Sequence, residues 1–281
     1  MSSMLMFVSA AVLAPTTAPL KLLRKADSSE PQSVCARWKS AAQTDFFGGC
    51  ISMEVLTGGY TLDIPQGAFP LSTDSILLSD FAKLKRNAKV LDLGSGCGTL
   101  GLLLCSKDQA CHVTGVELEE GAHLAALENI ARNNLSLRME SICADLRTIH
   151  KELPVNSFDC CLSNPPYFTG GPANQQTPLA RRDDCCNLDE LCQSASRMLK
   201  FGGDFMLVHK PERLAEICGC AIKYQLEPKQ LCLIRHRVDG PVTLILLSCR
   251  KGGKPGLIWQ EQCLFDELGQ PTDYYKTLYH L

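Results

Sequence analysis

The chain has 281 residues, 45% of them hydrophobic and 21% charged, with a formal net charge of -2. That balance excludes a disordered chain and a uniformly basic surface, and the length suits one globular domain with a sizeable core and some appended sequence. No apolar run reaches the roughly 18 residues of a membrane-spanning helix, so no membrane partner is expected.

At the start of the chain, Leu5 to Ala14 has the length of a signal-peptide core but no basic residue before it, the first lysine being Lys21. Residues 1–52 therefore read as a weakly ordered extension and 53–281 as the folded domain. The patterned sequence opens at Met53-Glu54-Val55-Leu56. Gly48-Gly49 could be the translation of a ribosome-binding stretch, which would make Met53 the true start.

The sixteen cysteines are scattered through apolar runs such as Cys160-Cys161-Leu162 and Leu231-Cys232-Leu233, and they form no C-x-x-C pair. They read as small hydrophobes with free thiols in a reducing cytoplasm. Cys218-Gly219-Cys220 is too close-set and too poor in neighbouring histidines for a zinc half-site, so no metal is expected.

Phe69 to Leu78 looks like a helix entry capped by Ser72, Thr73 or Asp74. From Lys89 onward, short apolar strand signals alternate with amphipathic stretches, as in βα units around a parallel sheet. Strands are predicted at Lys89–Leu93, His112–Glu117, Glu140–Ala144, Phe158–Ser163 and Asp204–Val208. Helices are predicted at Leu118–Asn133, Leu188–Leu199 and Glu212–Tyr224 from their apolar spacing. Leu231–Arg237 and Val242–Cys249 flank Asp239-Gly240-Pro241 and read as an antiparallel hairpin. Five parallel strands closed by a reversed pair describe the mostly parallel, seven-stranded, Rossmann-like α/β sheet of class I methyltransferases.

Val90-Leu91-Asp92-Leu93-Gly94-Ser95-Gly96-Cys97-Gly98 is a buried strand running into a glycine-rich turn and then a helix. Glycines at alternate positions let the backbone pass close under a ligand, and the helix start supplies free amide donors. Gly96, Gly98 and Gly101 also satisfy the dinucleotide fingerprint, so the glycines alone do not choose a cofactor. Asp92 helps to separate the readings: its carboxylate would repel a pyrophosphate and suits the ammonium and sulfonium charges of S-adenosyl-L-methionine, against a nicotinamide or flavin cofactor or a tight turn with no ligand. Glu117, ending the next strand, can accept both ribose hydroxyls, whereas Glu119 and Glu120 read as first-turn acids of a helix. Asp145, after the third strand, could accept from the cofactor's adenine amine or simply cap a turn. Thr73 and Asp74 could lie over the cofactor or serve only as caps.

The most specific signal is Asn164-Pro165-Pro166-Tyr167, at the end of an apolar strand. Two prolines hold the backbone extended, so the Asn164 side chain and the Pro165 carbonyl present fixed acceptors. An exocyclic amine shares its lone pair with its ring, and two acceptors gripping its hydrogens help the nitrogen towards tetrahedral geometry without a strong base. Tyr167 offers a face on which a base could stack. A rigid loop with an aromatic plug would show the same four residues.

Arg181, Arg182, Lys210, Arg213, Arg235, Arg237, Arg250, Lys251 and Lys254 follow the catalytic strand. If they converge on one rim they form a phosphate-binding surface despite the acidic total.

With these motifs in hand, the sequence resembles the bacterial tRNA1(Val) adenine-N6 methyltransferase family from about Glu54 to the C-terminus. The resemblance is carried by Thr73-Asp74-x-Ile76-Leu77-Leu78, by Asn164-Pro165-Pro166-Tyr167-Phe168 with Gly170, by Ala180-Arg181, by His209-Lys210-Pro211-Glu212-Arg213-Leu214 and by the tail Lys251-Gly252-Gly253-Lys254-Pro255-Gly256. It implies N6 methylation of the adenine beside the anticodon, with cofactor contacts at Asp92, Gly94, Gly96, Glu117 and Asp145; Thr73, Gly98 and Asn164 are expected to join them at the cofactor. It also implies contacts to the target amine at Asn164, Pro165 and Tyr167; Pro166 is expected to complete the catalytic loop, and tRNA contacts are expected at Tyr167, Phe168, Arg181, Lys210 and Arg213. Arg182-Asp183 departs from the family's pattern. The expected protein is a cytoplasmic monomer acting on tRNA. The alternatives are a methyltransferase for protein glutamine amides, one for DNA adenine, and a non-catalytic RNA binder.

Overall fold

The computed structural model describes residues 43–44, 50–65, 70–107, 111–167 and 187–280. A three-stranded antiparallel sheet comes first, from β1 (Gln43–Thr44), β2 (Cys50–Val55) and β3 (Thr61–Ile64). Strand β2 crosses the boundary drawn at Met53, pairing Ser52 with Ile64 and Val55 with Thr61.

Helix α1 (Thr73–Phe81) follows, and of the three candidate caps it is Ser72 that accepts the Ser75 N–H. The main sheet then alternates with helices: β4 (Lys89–Leu93), α2 (Thr99–Ser106), β5 (His112–Glu117), α3 (Glu120–Arg132), β6 (Met139–Cys143) and β7 (Phe158–Ser163). It continues through α4 (Leu188–Met198), β8 (Leu199–His209), α5 (Leu214–Lys223), β9 (Leu226–Arg237) and β10 (Val242–Lys251), and finishes with β11 (Ile258–Phe265) and α6 (Asp273–Tyr279). The spatial order is β11-β9-β10-β8-β7-β4-β5-β6. The five strands from β6 to β8 run parallel, and β10 runs against both β8 and β9.

The seven expected strands are all present. An eighth, β11, pairs in parallel with β9 as an outer edge. It lacks alternation, its first four residues being exposed, which is why hydropathy did not reveal it. Strand β8 is longer than predicted because it continues straight out of α4, starting at Leu199.

The helices divide between the two faces. On one face, α4 and α5 bury Leu191, Ala195, Ile217 and Ala221 against Leu91, Leu93, Cys161, Phe205 and Leu207 of the strands. On the other, α1 packs on α2, β8 and β10, while α3 lies along β5 and β6.

The β2–β3 pair is tied to this second layer by two asparagines on α3. Asn129 accepts the Asp63 N–H at 2.8 Å and donates to the Asp63 and Cys97 carbonyls, each at 3.0 Å. One turn on, Asn133 accepts the Thr61 N–H at 2.8 Å and donates to the Thr61 carbonyl at 2.7 Å. The two amides thus act as the next strand for β3, satisfying backbone groups that an edge would leave open. An Arg132–Asp63 ion pair closes the same seam.

Candidate active site

Strands β4 and β7 are parallel neighbours, with Val90 opposite Cys160 and Asp92 opposite Leu162. The glycine turn and the Asn164 loop therefore leave the sheet at one carboxyl edge. The strand order reverses there, β5 and β6 lying to one side of β4 and β7 and β8 to the other. Open α/β sheets bind ligands at such a switch point.

Gly94, Gly96 and Gly98 take positive φ angles of 77°, 55° and 85°. A Cβ on Gly94 or Gly96 would meet nothing within 4 Å, so backbone conformation demands glycine there and leaves open space above the turn. The Gly94 and Ser95 N–H groups donate to the Val116 carbonyl at 2.9 and 3.0 Å. Glu117 is fixed at the end of β5, its two oxygens accepting the Gly96 N–H at 2.8 Å and the Glu119 N–H at 2.9 Å. Each oxygen keeps lone pairs with which to accept from a ribose diol. Glu119, one of the two first-turn acids, is the N-cap of α3.

Asp92 is 1% exposed, and neither of its carboxylate oxygens has a partner among the described residues. Burial, and behind it the negative charge of Glu117, pushes its carboxyl up to about 7. An unpaired buried anion is costly, and a cation laid over the turn removes that cost. The turn thus offers a place for positive charge at the end of β4, with diol acceptors at the end of β5. S-adenosylmethionine, with ammonium, sulfonium and ribose, fits these residues; a pyrophosphate does not.

Asp145 follows β6, and Arg147 engages its carboxylate through the backbone N–H at 2.9 Å and the guanidinium at 2.6 to 2.9 Å. Those hydrogen bonds hold its carboxyl below the usual range. The turn role expected for Asp145 is thus seen, on a carboxylate already engaged by a cation.

The other wall is Asn164-Pro165-Pro166-Tyr167, all half-buried. Asn164 Nδ2 donates to Ser75 Oγ at 3.0 Å, which turns the amide so that Oδ1 faces Tyr167. The Tyr167 hydroxyl lies 2.6 Å from Asp74 Oδ2 and 3.0 Å from Asn164 Oδ1. It has one hydrogen for two acceptors, and the charged carboxylate at the shorter distance takes it. The first turn of α1 thus orients the asparagine through Ser75 and draws the tyrosine hydroxyl through Asp74. Thr73 faces elsewhere, its Oγ1 lying 3.1 Å from the Tyr279 hydroxyl of α6.

Lys210 stands over the Tyr167 ring, its Nζ 5.2 Å from the centroid. Arg213, three residues on, pairs with Glu216 at 2.6 Å. Phe168, Arg181 and Arg182 lie outside the described residues. The remaining basic residues do not share a rim. Arg235 and Arg237 end β9 on the carboxyl edge, where they pair with Glu261 and Asp239. Arg250 and Lys251 end the reversed strand β10 at the opposite edge, where Arg250 pairs with Asp204 and Lys251 donates to the Ser196 and Leu199 carbonyls. The reversal of β10 carries them away.

Sequence reasoning passed over Ser75, His209 and Asn129. Nothing in a single sequence distinguishes Ser75 from an ordinary first-turn serine. His209 belongs to a segment already noted for its resemblance, and only its burial against Tyr167 singles it out.

A family model described as methyltransferase small domain matches residues 72–216. The tRNA1(Val) (adenine(37)-N6)-methyltransferase of Shewanella halifaxensis is 30% identical over 185 residues, covering 64% of this chain and 74% of that protein. The protein of the same name from Photobacterium profundum is 29% identical over 212 residues, covering 74% of this chain and 88% of that one. Among solved structures, a predicted O-methyltransferase from Agrobacterium tumefaciens superposes with a TM-score of 0.63 at 20% identity, covering 74% of this chain and 96% of that one. A 16S rRNA N2 methyltransferase of T. thermophilus, determined with AdoMet and guanosine, gives 0.51 at 21% identity, covering 72% of this chain and 50% of that one. These two likenesses concern the fold.

Proposed function

The chain belongs to the methyltransferase small domain family and to the tRNA1(Val) (adenine(37)-N6)-methyltransferase family, and from that membership we propose that it methylates N6 of adenine 37 in a tRNA. S-adenosylmethionine is the cofactor, and its sulfonium supplies the methyl group when bound. The observation that carries the reading is the position of Asn164. It directly follows the strand beside the glycine turn, and Ser75 holds its amide so that the carbonyl is the group on offer.

In this reading Asp92 answers the cofactor's positive charge, Gly94, Gly96 and Gly98 give it room, and Glu117 and Asp145 take its ribose and adenine. Asn164 Oδ1 and the Pro165 carbonyl accept the two hydrogens of the target amine, weakening its conjugation with the ring. Pro166 keeps that carbonyl in place, and Thr73 supports the start of α1 from the side of α6.

The Tyr167 hydroxyl must move off Asn164 Oδ1 for the amine to arrive, and Asp74, which already holds its hydrogen, keeps it bonded as it does so. The ring then becomes the stacking face for the base. Lys210, Phe168, Arg181 and Arg213 serve the tRNA, Lys210 from its place above that ring.

The domain is taken as residues 53–281, with its first sheet reaching back through β2 to Gln43 of β1, and it works as a monomer in the cytoplasm, where tRNA is found. Among the described residues no helix is long and apolar enough to cross a membrane.

The test is transfer of labelled methyl from S-adenosylmethionine into total RNA by the purified protein, followed by nucleoside analysis. N6-methyladenosine in tRNA is the expected product. Label in a protein glutamine, with none in RNA, refutes the reading.

A further inference from the structure

His209 ends β8. The β7 partners of that strand run from Phe158 to Ser163, Ser163 lying opposite Leu207, so His209 and the Asn164 loop leave the sheet at the same edge from adjacent strands. The histidine side chain is 1% exposed. The Lys210 backbone N–H donates to Nδ1 at 2.8 Å, which leaves the ring proton on Nε2. That Nε2 is buried and has no hydrogen-bond partner among the described residues. The imidazole lies against Tyr167, with ring centroids 5.0 Å apart and planes at 60°. Burial, and then the charge of Arg213, pushes its pKa down to about 4, so the ring is a neutral donor at physiological pH.

A buried N–H without an acceptor loses its hydration and gains nothing in return. Such a group beside a ligand pocket is relieved when the ligand brings an acceptor. The groups already assigned around the amine, Asn164 Oδ1 and the Pro165 carbonyl, are both acceptors. They grip an NH2 group but do not read the ring that carries it. Adenine places an acceptor nitrogen on each side of its amine, N1 on the six-membered ring and N7 on the five-membered ring. Guanine puts an oxygen where adenine has its amine, and a hydrogen on N1.

We propose that His209 is a specificity-determining residue, its Nε2–H donating to the ring nitrogen that flanks the target amine. The assignment rests on the adenine-N6 reading above and adds the donor which that site lacks. The acceptors for the amine mismatch guanine's oxygen in either case, and a donor to N1 would mismatch guanine's N1 hydrogen as well, whereas N7 accepts in both purines, so a donor there would fix the ring's orientation. A role confined to propping the Tyr167 ring through an N–H to π contact would explain the burial equally, and the experiment separates the two.

Synthetic anticodon stem-loop RNAs carrying adenine, 1-deazaadenine or 7-deazaadenine at the target position are compared as substrates, by kcat/KM, for the wild-type protein and for His209→Phe. The wild type should lose about tenfold on one of the two deaza RNAs, the scale of one hydrogen bond to a buried group. His209→Phe should lose about the same on adenine and then show no further loss on that deaza RNA. His209→Gln, whose amide N–H can reach the same place, should recover most of the discrimination. Cofactor affinity should stay unchanged in both variants.

Equal rates of the wild type on all three RNAs would overturn the proposal, whether or not the variants fold. So would a His209→Phe protein that keeps the full deaza penalty, since the histidine would then only support Tyr167. Absence of methyl transfer into any of the three RNAs would overturn the adenine reading itself, and the assignment with it.

Discussion

Replacing Asp92 with Asn keeps the size of the side chain and removes a charge that the cofactor-free fold does not neutralise. In that state the carboxyl is displaced from 3.8 to about 7 by burial and by Glu117. Because the folded value lies above the unfolded one, the sign runs against folding. Below pH 4 the group is neutral in both states. Between pH 4 and 7 the unfolded chain releases a proton that the folded chain keeps, and above 7 the penalty is constant. A displacement of that size corresponds to a few kcal/mol at pH 8 and to less than half of that at pH 5. Asp92→Asn should therefore stabilise the cofactor-free protein as the pH rises, with a gain in Tm of roughly 10 °C at pH 8 for a domain of this size. The same substitution should weaken S-adenosylmethionine binding at least about tenfold, through loss of the partner for its positive charge. Thermal melts without cofactor at pH 5 and pH 8, together with calorimetric titration of the cofactor, read both effects. A variant no more stable than the wild type at pH 8, or a gain that ignores pH, refutes the reasoning.

Four further outcomes are expected. In the wild type, cofactor affinity should rise with pH up to about 7 and then level off, because binding favours the ionised Asp92; a flat titration from pH 5.5 to 8 contradicts this. Asn164→Ala should lower kcat about a hundredfold, the scale of one preorganised polar contact, while the cofactor Kd stays put; loss of cofactor binding would mean that the site is misplaced. Tyr167→Phe frees Asn164 Oδ1 and keeps the stacking face, so its KM for tRNA should not rise, whereas Tyr167→Ala should raise KM about tenfold by losing one stacked base; steady-state kinetics that rank the two variants the other way would exclude Tyr167 as the platform. Asn129→Ala strips partners from the Asp63 N–H and the Asp63 and Cys97 carbonyls in a fully buried place, and urea denaturation should show a loss of about 3 kcal/mol; a loss under about 1 kcal/mol would mean that water replaces the amide.

The parallel strands were legible because burial on both faces writes itself as continuous apolar runs such as Val90-Leu91 and Cys160-Cys161-Leu162. Strands β4, β5 and β7 have the bounds predicted for them. The edge strand β11 was not legible, since its Ile258 and Trp259 are exposed and its pairing comes from the backbone of β9. The basic residues read as one surface while their order along the chain was the only guide. The turn at Asp239-Gly240-Pro241 records the reversal of β10, but that the reversal sends Arg250 and Lys251 to the far edge from Arg235 and Arg237 follows only from the strand directions in the sheet.

Residue type and spacing alone determined the fold class, the glycine turn, the acid that ends β5 and the Asn-Pro-Pro-Tyr loop, because each is a local feature of a strand end whose conformational needs are written in Gly, Pro and acidic residues. Only the tertiary structure decided which groups meet across the loops. Ser75 orients Asn164, Asp74 competes with it for the Tyr167 hydroxyl, and His209 brings a buried donor to the same ring. Those partners lie 89, 93 and about 40 positions apart in the chain, and hydrogen bonds reach only about 3 Å, so the distances that give the residues their roles exist only once the sheet has brought β7, β8 and α1 together.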